Sequence, residues 1–137
     1  VLHSDFIVKF KKTCNPKWKL TIETSLCVKQ SHIKKLLPII DYWIIDIKDM
    51  DNKRYKRYTG RNNSLMKRNL EYLLNQGKAE QMLIRVPYIG GYNTEVHVDE
   101  NIKILQELGV VNIERFTYEI PSRRFSKLED VLLGALE

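Results

Sequence analysis

The sequence predicts an α/β fold of about four parallel β/α units, from three observations. Four short runs are rich in β-branched and aromatic residues and nearly continuous in apolar character, as strands covered on both faces are. They are "WKLTIET" from Trp18, "YWIIDIK" from Tyr42, "MLIRVPY" from Met82, and Val111 to Tyr118. The stretches between them carry apolar residues at helical spacing. Each connection is long enough for a crossover helix. Periodicity alone fits both part of a barrel and a small open sheet.

Taken in order, Asp5 to Lys12 reads as the end of a helix with Phe6, Ile7 and Phe10 on one side, broken by Asn15-Pro16. The strand Trp18 to Thr24 follows. Ser31 can cap a short helix that stops at Leu37, before Pro38. After the strand Tyr42 to Lys48, Asp51 can cap a helix through Tyr58 that Gly60 ends. Asn63 or Ser64 can cap a longer one, in which Met66, Leu70, Leu73 and Leu74 form a single stripe and Gly77 marks the end. Met82 to Tyr88 is the third strand and Gly90-Gly91-Tyr92-Asn93 a turn. Asp99 to Leu108 is a helix with Ile102, Leu105 and Leu108 inward, and Gly109 closes it. The fourth strand precedes a last helix through Leu128, Val131, Leu132 and Leu136.

The 137 residues suit one domain, 1–137, and the 43% of hydrophobic residues suffices for a core, which excludes a disordered chain. No apolar run is long enough to span a bilayer and no signal-peptide pattern opens the chain, so a cytoplasmic protein with no membrane partner is expected. The two cysteines, Cys14 and Cys27, match no zinc or iron–sulfur spacing. His3, His32 and His97 lie near the terminus or at helix starts, where surface or capping roles are expected rather than metal ligation. The net charge of +6, concentrated in Lys53, Arg54, Lys56, Arg57, Arg61, Lys67 and Arg68 around Tyr55 and Tyr58, suits an acidic partner. It equally suits a solvated basic helix face.

Chemistry is expected where the strands end, because the carboxyl ends of strands in β/α folds form ligand sites. Residues i and i+2 of a strand share a face, so Ile44, Asp46 and Lys48 point one way and Ile45 and Ile47 the other. Glu23 and Thr24 end the first strand, Arg85 lies late in the third, and Tyr118 and Glu119 end the fourth. Asp46 and Lys48 can serve a polar ligand or form a structural ion pair. Arg85 can pair with Glu23 or Asp46, or clamp a carboxylate or phosphate. No catalytic triad, P-loop or dinucleotide fingerprint is present.

Several segments together resemble a known family. "DIKDMD" (46–51), "YTGRNN" (58–63), the helix ending "NQG" (75–77), "RVPYIGGYN" (85–93) and "LTIETSL" (20–26) are similar to segments of the glycyl-radical-enzyme activating enzymes. These are the pyruvate formate-lyase activating enzyme-like radical S-adenosylmethionine (SAM) proteins, and the resemblance runs over residues 1–118. It implies a partial TIM-type barrel of six β/α units, (β/α)6, of which this chain supplies about four as the C-terminal portion. It implies an oxidoreductase with SAM and a 4Fe–4S cluster as cofactors, a glycyl radical enzyme such as pyruvate formate-lyase as partner, and an electron donor such as flavodoxin. In that family the cluster cleaves SAM to a 5′-deoxyadenosyl radical, which takes a hydrogen atom from a glycine of the partner.

Carried over by position, Lys48 matches a SAM-contacting lysine and Asp46 the acidic residue that supports it. Glu23 matches an acidic residue near the SAM ribose, and Arg85 an arginine facing the same pocket. Asp46, Glu23 and Thr24 resemble a monovalent-cation site. The chain lacks the family's C-x-x-x-C-x-x-C and G-G-E-P segments, and Glu119 stands where the family has a SAM-contacting histidine. Residues 120–137 form a family-atypical tail. The chain alone is therefore expected to be inactive, with no catalytic residue or metal ligand of its own. Other readings are a fragment of a different radical SAM enzyme, such as a ribonucleotide reductase activase, and a basic phosphate- or nucleic-acid-binding module, with nucleic acid the less favoured partner. A degenerate fragment that self-associates through an open sheet edge is a further alternative.

Overall fold

The computed structural model describes residues 1–118. The expected C-terminal helix, the atypical tail and Glu119 lie outside the described residues. The elements are α1 (Ser4–Thr13), β1 (Thr21–Thr24), α2 (Gln30–Leu36), β2 (Tyr42–Asp46), α3 (Asn52–Thr59), α4 (Ser64–Asn75), β3 (Met82–Ile89), α5 (Glu95–Glu107) and β4 (Ile113–Tyr118), with a 3-10 turn at Ala79–Gln81. All strand pairs are parallel and the spatial order is β1-β2-β3-β4. A doubly wound sheet reverses its order at a switch point. This one adds each strand beside the last, as a barrel wall does.

The two faces of the sheet differ. Trp43, Ile45 and Ile47 of the β2 segment and Met82, Ile84 and Val86 of β3 are fully buried, in one core with Ile33 and Leu36 of α2, Met66, Leu70 and Leu73 of α4, and Val98 and Leu105 of α5. On the other face Ile44, Asp46, Leu83, Arg85 and Phe116 are only partly buried, and Glu23 and Glu114 are exposed. Partners in parallel register share a face, so Glu23↔Ile44↔Leu83 and Asp46↔Arg85↔Glu114 form two cross-strand rows on that open side.

Local chemistry sets the element ends. Asp51 caps α3 by accepting the Arg54 N–H at 2.9 Å, and Gly60 closes it at φ 75°, a left-handed conformation that costs a residue with Cβ energy. Four expectations need correction. β1 starts at Thr21, because pairing with β2 begins at Tyr42, and Trp18 is left exposed before the ladder. Phe6 and Phe10 of α1 face outward, while Ile7 and Val8 pack on the core and Ser4 Oγ is hydrogen-bonded to His32 Nδ1 of α2 at 2.8 Å. α5 begins a turn earlier than Asp99, because Thr94 and His97 form a capping box, and this turns Val98, Asn101 and Leu105 inward and leaves Leu108 exposed. Ser31 is not the cap of α2, which starts at Gln30 after Lys29.

Candidate functional site at the strand ends

β2 delivers its two charges as the alternation dictates. Lys48 Nζ donates to Asp46 Oδ2 at 2.7 Å, with both side chains about one-fifth exposed. The other carboxylate oxygen, Asp46 Oδ1, is buried without a hydrogen-bond partner among the described residues. A buried acceptor left unpaired is costly, so it marks a place where a donor is wanted. The Lys48 ammonium also lies 5.9 Å from the Tyr58 ring centroid and 5.2 Å from that of Tyr118, within cation–π range. Burial raises the Tyr58 phenol above its ordinary value, and the Lys48 charge opposes this.

Arg85 reaches sideways along its row. It donates to Glu23 Oε1 at 3.2 Å and Glu114 Oε2 at 2.9 Å, and its guanidinium lies 4.5 Å from the Phe116 ring centroid. Of the two pairings read from the sequence, Glu23 is the one formed. Asp46 is taken by Lys48. Glu114 had no separate signal, since a glutamate on a β-branched strand reads as solvent-facing until the register places it beside Arg85.

Thr24 shares register with Ile45 and so lies on the helix side of the sheet, not beside Glu23 and Asp46. Its Oγ1 accepts the Leu26 N–H at 3.0 Å and turns the chain into the loop after β1. In that loop Leu26 has φ 56°, a strained value for a residue with Cβ, and Val28 N–H donates back to the Leu26 carbonyl at 2.8 Å. The buried Asn69 of α4 holds it there, its Nδ2 donating to the carbonyls of Leu26 and Val28, both at 2.8 Å. The result is a cleft of about 520 Å³ at the strand ends, where Glu23, Thr24 and Lys48 meet Cys27, Tyr55 and Arg61. Burial pushes the Tyr55 phenol well above its ordinary value, and the neighbouring Cys27 thiol adds to this.

The other motif residues are mostly framework. Asn63 donates its amide to the Met50 carbonyl at 2.9 Å, while Asn101 Oδ1 accepts the Met50 N–H at 2.9 Å. Asn93 closes the β3–α5 turn, accepting the Ile89 N–H at 2.7 Å and donating to the Pro87 carbonyl at 2.8 Å. Asp49 is buried, accepts the Asp51 N–H at 2.8 Å and is held by Arg54 at 2.8 Å. These side chains shape the loops around the cleft without entering it.

Comparison with known proteins gives these residues a family. No protein-family model matches the chain. An indoleacetate decarboxylase activating enzyme from Tractidigestivibacter scatoligenes is 30% identical over 139 residues, covering 89% of this chain and 44% of the relative. A 4-hydroxyphenylacetate decarboxylase activating enzyme from Clostridium scatologenes is 34% identical over 129 residues, covering 93% of this chain and 39% of the relative. The chain is a homologue of the glycyl-radical-enzyme activating enzymes. A (2S)-3-sulfopropanediol dehydratase activating enzyme from Klebsiella oxytoca is also 32% identical over 112 residues, covering 80% of this chain and 35% of the relative. The chain spans about two-fifths of the length of the curated relatives it matches. Among solved structures, a domain of pyruvate-formate lyase-activating enzyme from Bacteroides vulgatus has the same fold, with a TM-score of 0.66 over 93% of this chain and 83% of that one, at 22% identity.

The cofactors the family implies fit this chain unequally. Cys14 sits at the C-terminus of α1 with its thiol donating to the Lys11 carbonyl, whereas Cys27 lies in the cleft. The described residues hold no group of three His, Cys, Asp or Glu side chains able to bind a metal. With two cysteines in the sequence, the described residues do not supply the three-thiolate donor set of a 4Fe–4S cluster. SAM fits better. Its amino and ribose hydroxyl groups are donors of the kind Asp46 Oδ1 lacks, and its carboxylate is an acceptor for the half-buried Lys48.

Proposed function

We propose that this chain is the C-terminal portion of a radical SAM activating enzyme, a single domain over 1–137, and that it contributes the polar wall of the SAM pocket. Lys48, which lines the cleft at the strand ends and is held from behind by Asp46, whose Oδ1 is buried and unpaired among the described residues, carries this reading in a homologue of activating enzymes. In the intact protein Lys48 would donate to the methionyl carboxylate. Asp46 would hold the Lys48 ammonium and accept a donor from the ligand. Glu23 and Thr24 would border the ribose side, and Arg85 would fix Glu23 from the neighbouring strands. These residues would hold SAM beside a reduced cluster supplied from elsewhere, and the bound SAM would supply the radical chemistry directed at a glycine of a partner such as pyruvate formate-lyase, with an electron donor such as flavodoxin.

Titration of the isotope-labelled chain with S-adenosylhomocysteine tests the pocket without needing the cluster. Amide shifts are expected at Glu23, Thr24, Lys48 and Arg61. Lys48→Ala is expected to weaken binding about tenfold, the loss of one charge-assisted hydrogen bond. Shifts confined to other surfaces, or a Lys48→Ala variant that binds as the parent does, would refute the assignment.

A further inference from the structure

The outward face of α3 carries positive charge that no carboxylate among the described residues pairs with. Helical spacing puts Lys53, Lys56 and Arg57 on one stripe, and Arg61 follows beyond the left-handed Gly60. All four are exposed. Among the described residues none of the four is within ion-pairing distance of a carboxylate. Arg54, one position round the same helix, is held at 2.8 Å by Asp49 and 3.4 Å by Glu100. Like charges at i,i+3 and i,i+4 destabilise a helix, so the stripe does not serve folding. Two clefts meet at Arg61: the one at the strand ends, shared with Lys48, and a second of about 330 Å³ that also includes Lys56 and Gly60.

The neighbouring aromatic residues narrow the class of partner. A single-stranded nucleic acid would need rings on which to stack. Tyr55 is 3% exposed and packed in the core, and Tyr58 meets Tyr92 edge-on, with ring centroids 4.8 Å apart. Arg57 donates to the Tyr92 carbonyl and its guanidinium lies 5.8 Å from the Tyr92 ring centroid, so the β3–α5 turn is tied to the basic stripe. Tyr92 keeps 37% exposure with the Arg57 guanidinium against its ring, and it is one ring rather than the succession that stacked bases need, so the accessible stripe is chiefly cationic, which complements a carboxylate-rich protein surface.

We propose that the α3 stripe with Arg61 is a docking surface for an acidic segment of the partner protein that presents its glycine at the strand ends. This rests on the functional reading above, because a partner that brings a residue to the cleft must cross its rim. The test uses the labelled chain and a short polyglutamate peptide as probe. Shifts are expected to be confined to α3, the α3–α4 turn and the β3–α5 turn. Lys56→Glu with Arg61→Glu is expected to weaken binding at least about tenfold, and Lys56→Gln with Arg61→Gln by an intermediate factor. Lys9→Glu with Lys12→Glu on exposed α1 changes the net charge equally and is expected to stay within about twofold of the parent.

Equal losses in the two reversal variants, or shifts spread over the whole surface, would overturn the proposal as non-specific charge. Tighter binding of an oligothymidylate to the same residues at the same salt would overturn it in favour of nucleic acid. S-adenosylhomocysteine titrated into the same samples reads the pocket separately. Its binding without peptide binding sinks the docking surface alone. Localised peptide binding without it sinks the pocket reading and the assignment of the partner.

Discussion

At the scale of single residues, the shape of the candidate site depends on an amide that lies far from it in sequence. Asn69 is fully buried, and both hydrogens of its Nδ2 are spent on the Leu26 and Val28 carbonyls. Without it two buried acceptors in a strained loop lose their donors. Asn69→Ala is expected to cost about 2–3 kcal/mol, from two hydrogen bonds and a small cavity. Urea unfolding would read this directly. Asn69→Asp should cost more, since a carboxylate would face two carbonyl oxygens. A loss below about 0.5 kcal/mol, the size of an ordinary surface change, would show that the loop holds itself. The residue was within reach of sequence reading. It falls on the stripe of Met66, Leu70 and Leu73, and a lone amide on a buried face requires a polar partner. Which partner was not readable, because Leu26 and Val28 are distant in sequence. Asp46 and Lys48 were legible as neighbours on one strand face. The Arg85–Glu114 pair was not, because it depends on the β3–β4 register.

At the scale of elements, α3 shows how local signals and tertiary contacts divide the work. Its cap and its stop were both readable: Asp51 before it and Gly60 after it, each in the expected role. α5 was misplaced by a turn, because a Thr-x-x-His capping box is a weaker signal than Thr-x-x-Glu. The Asp51 cap gives α3 a pH dependence. The Arg54 N–H, and to a lesser degree the Arg54 charge, hold the Asp51 carboxyl below its ordinary value near 3.8, against an opposing contribution from desolvation. A carboxyl lowered in the folded state stabilises the fold above its unfolded value, and that contribution is lost as pH falls through the folded value. Asp51→Ala is expected to cost about 1 kcal/mol at neutral pH. Asp51→Asn keeps a capping oxygen but does not titrate. The stability lead of the parent over Asp51→Asn should therefore shrink as pH falls below about 4, which thermal unfolding across that range would measure. A difference that stays constant to pH 2 would mean that the carboxylate charge contributes nothing to the cap.

At the scale of the whole molecule, the parallel order was legible, since near-continuous apolar strands separated by amphipathic stretches have few other solutions. The asymmetry of the sheet was not. Ile44 and Ile45 look alike in sequence, yet Ile45 is in the core and Ile44 is on the open side with the charges. That open side bears on what the chain can do alone. The rows of Glu23, Asp46, Arg85 and Glu114 give it a polar wall, and its two thiols sit on separate elements, α1 and the β1–α2 loop. Three thiolates on one short loop are what a site-differentiated cluster requires. The chain incubated with iron and sulfide is therefore expected to show no stable iron–sulfur absorption after desalting, and no 5′-deoxyadenosine when SAM and a strong reductant are added. Supplying a polypeptide that carries the cysteine motif in trans is the complementary arm: cleavage should then depend on Lys48 and be lost in Lys48→Ala. Product formed by the chain alone would mean that Cys14, Cys27 and residues beyond the described part hold a cluster after all. Cleavage in trans that is indifferent to Lys48 would instead place the SAM contact on another strand.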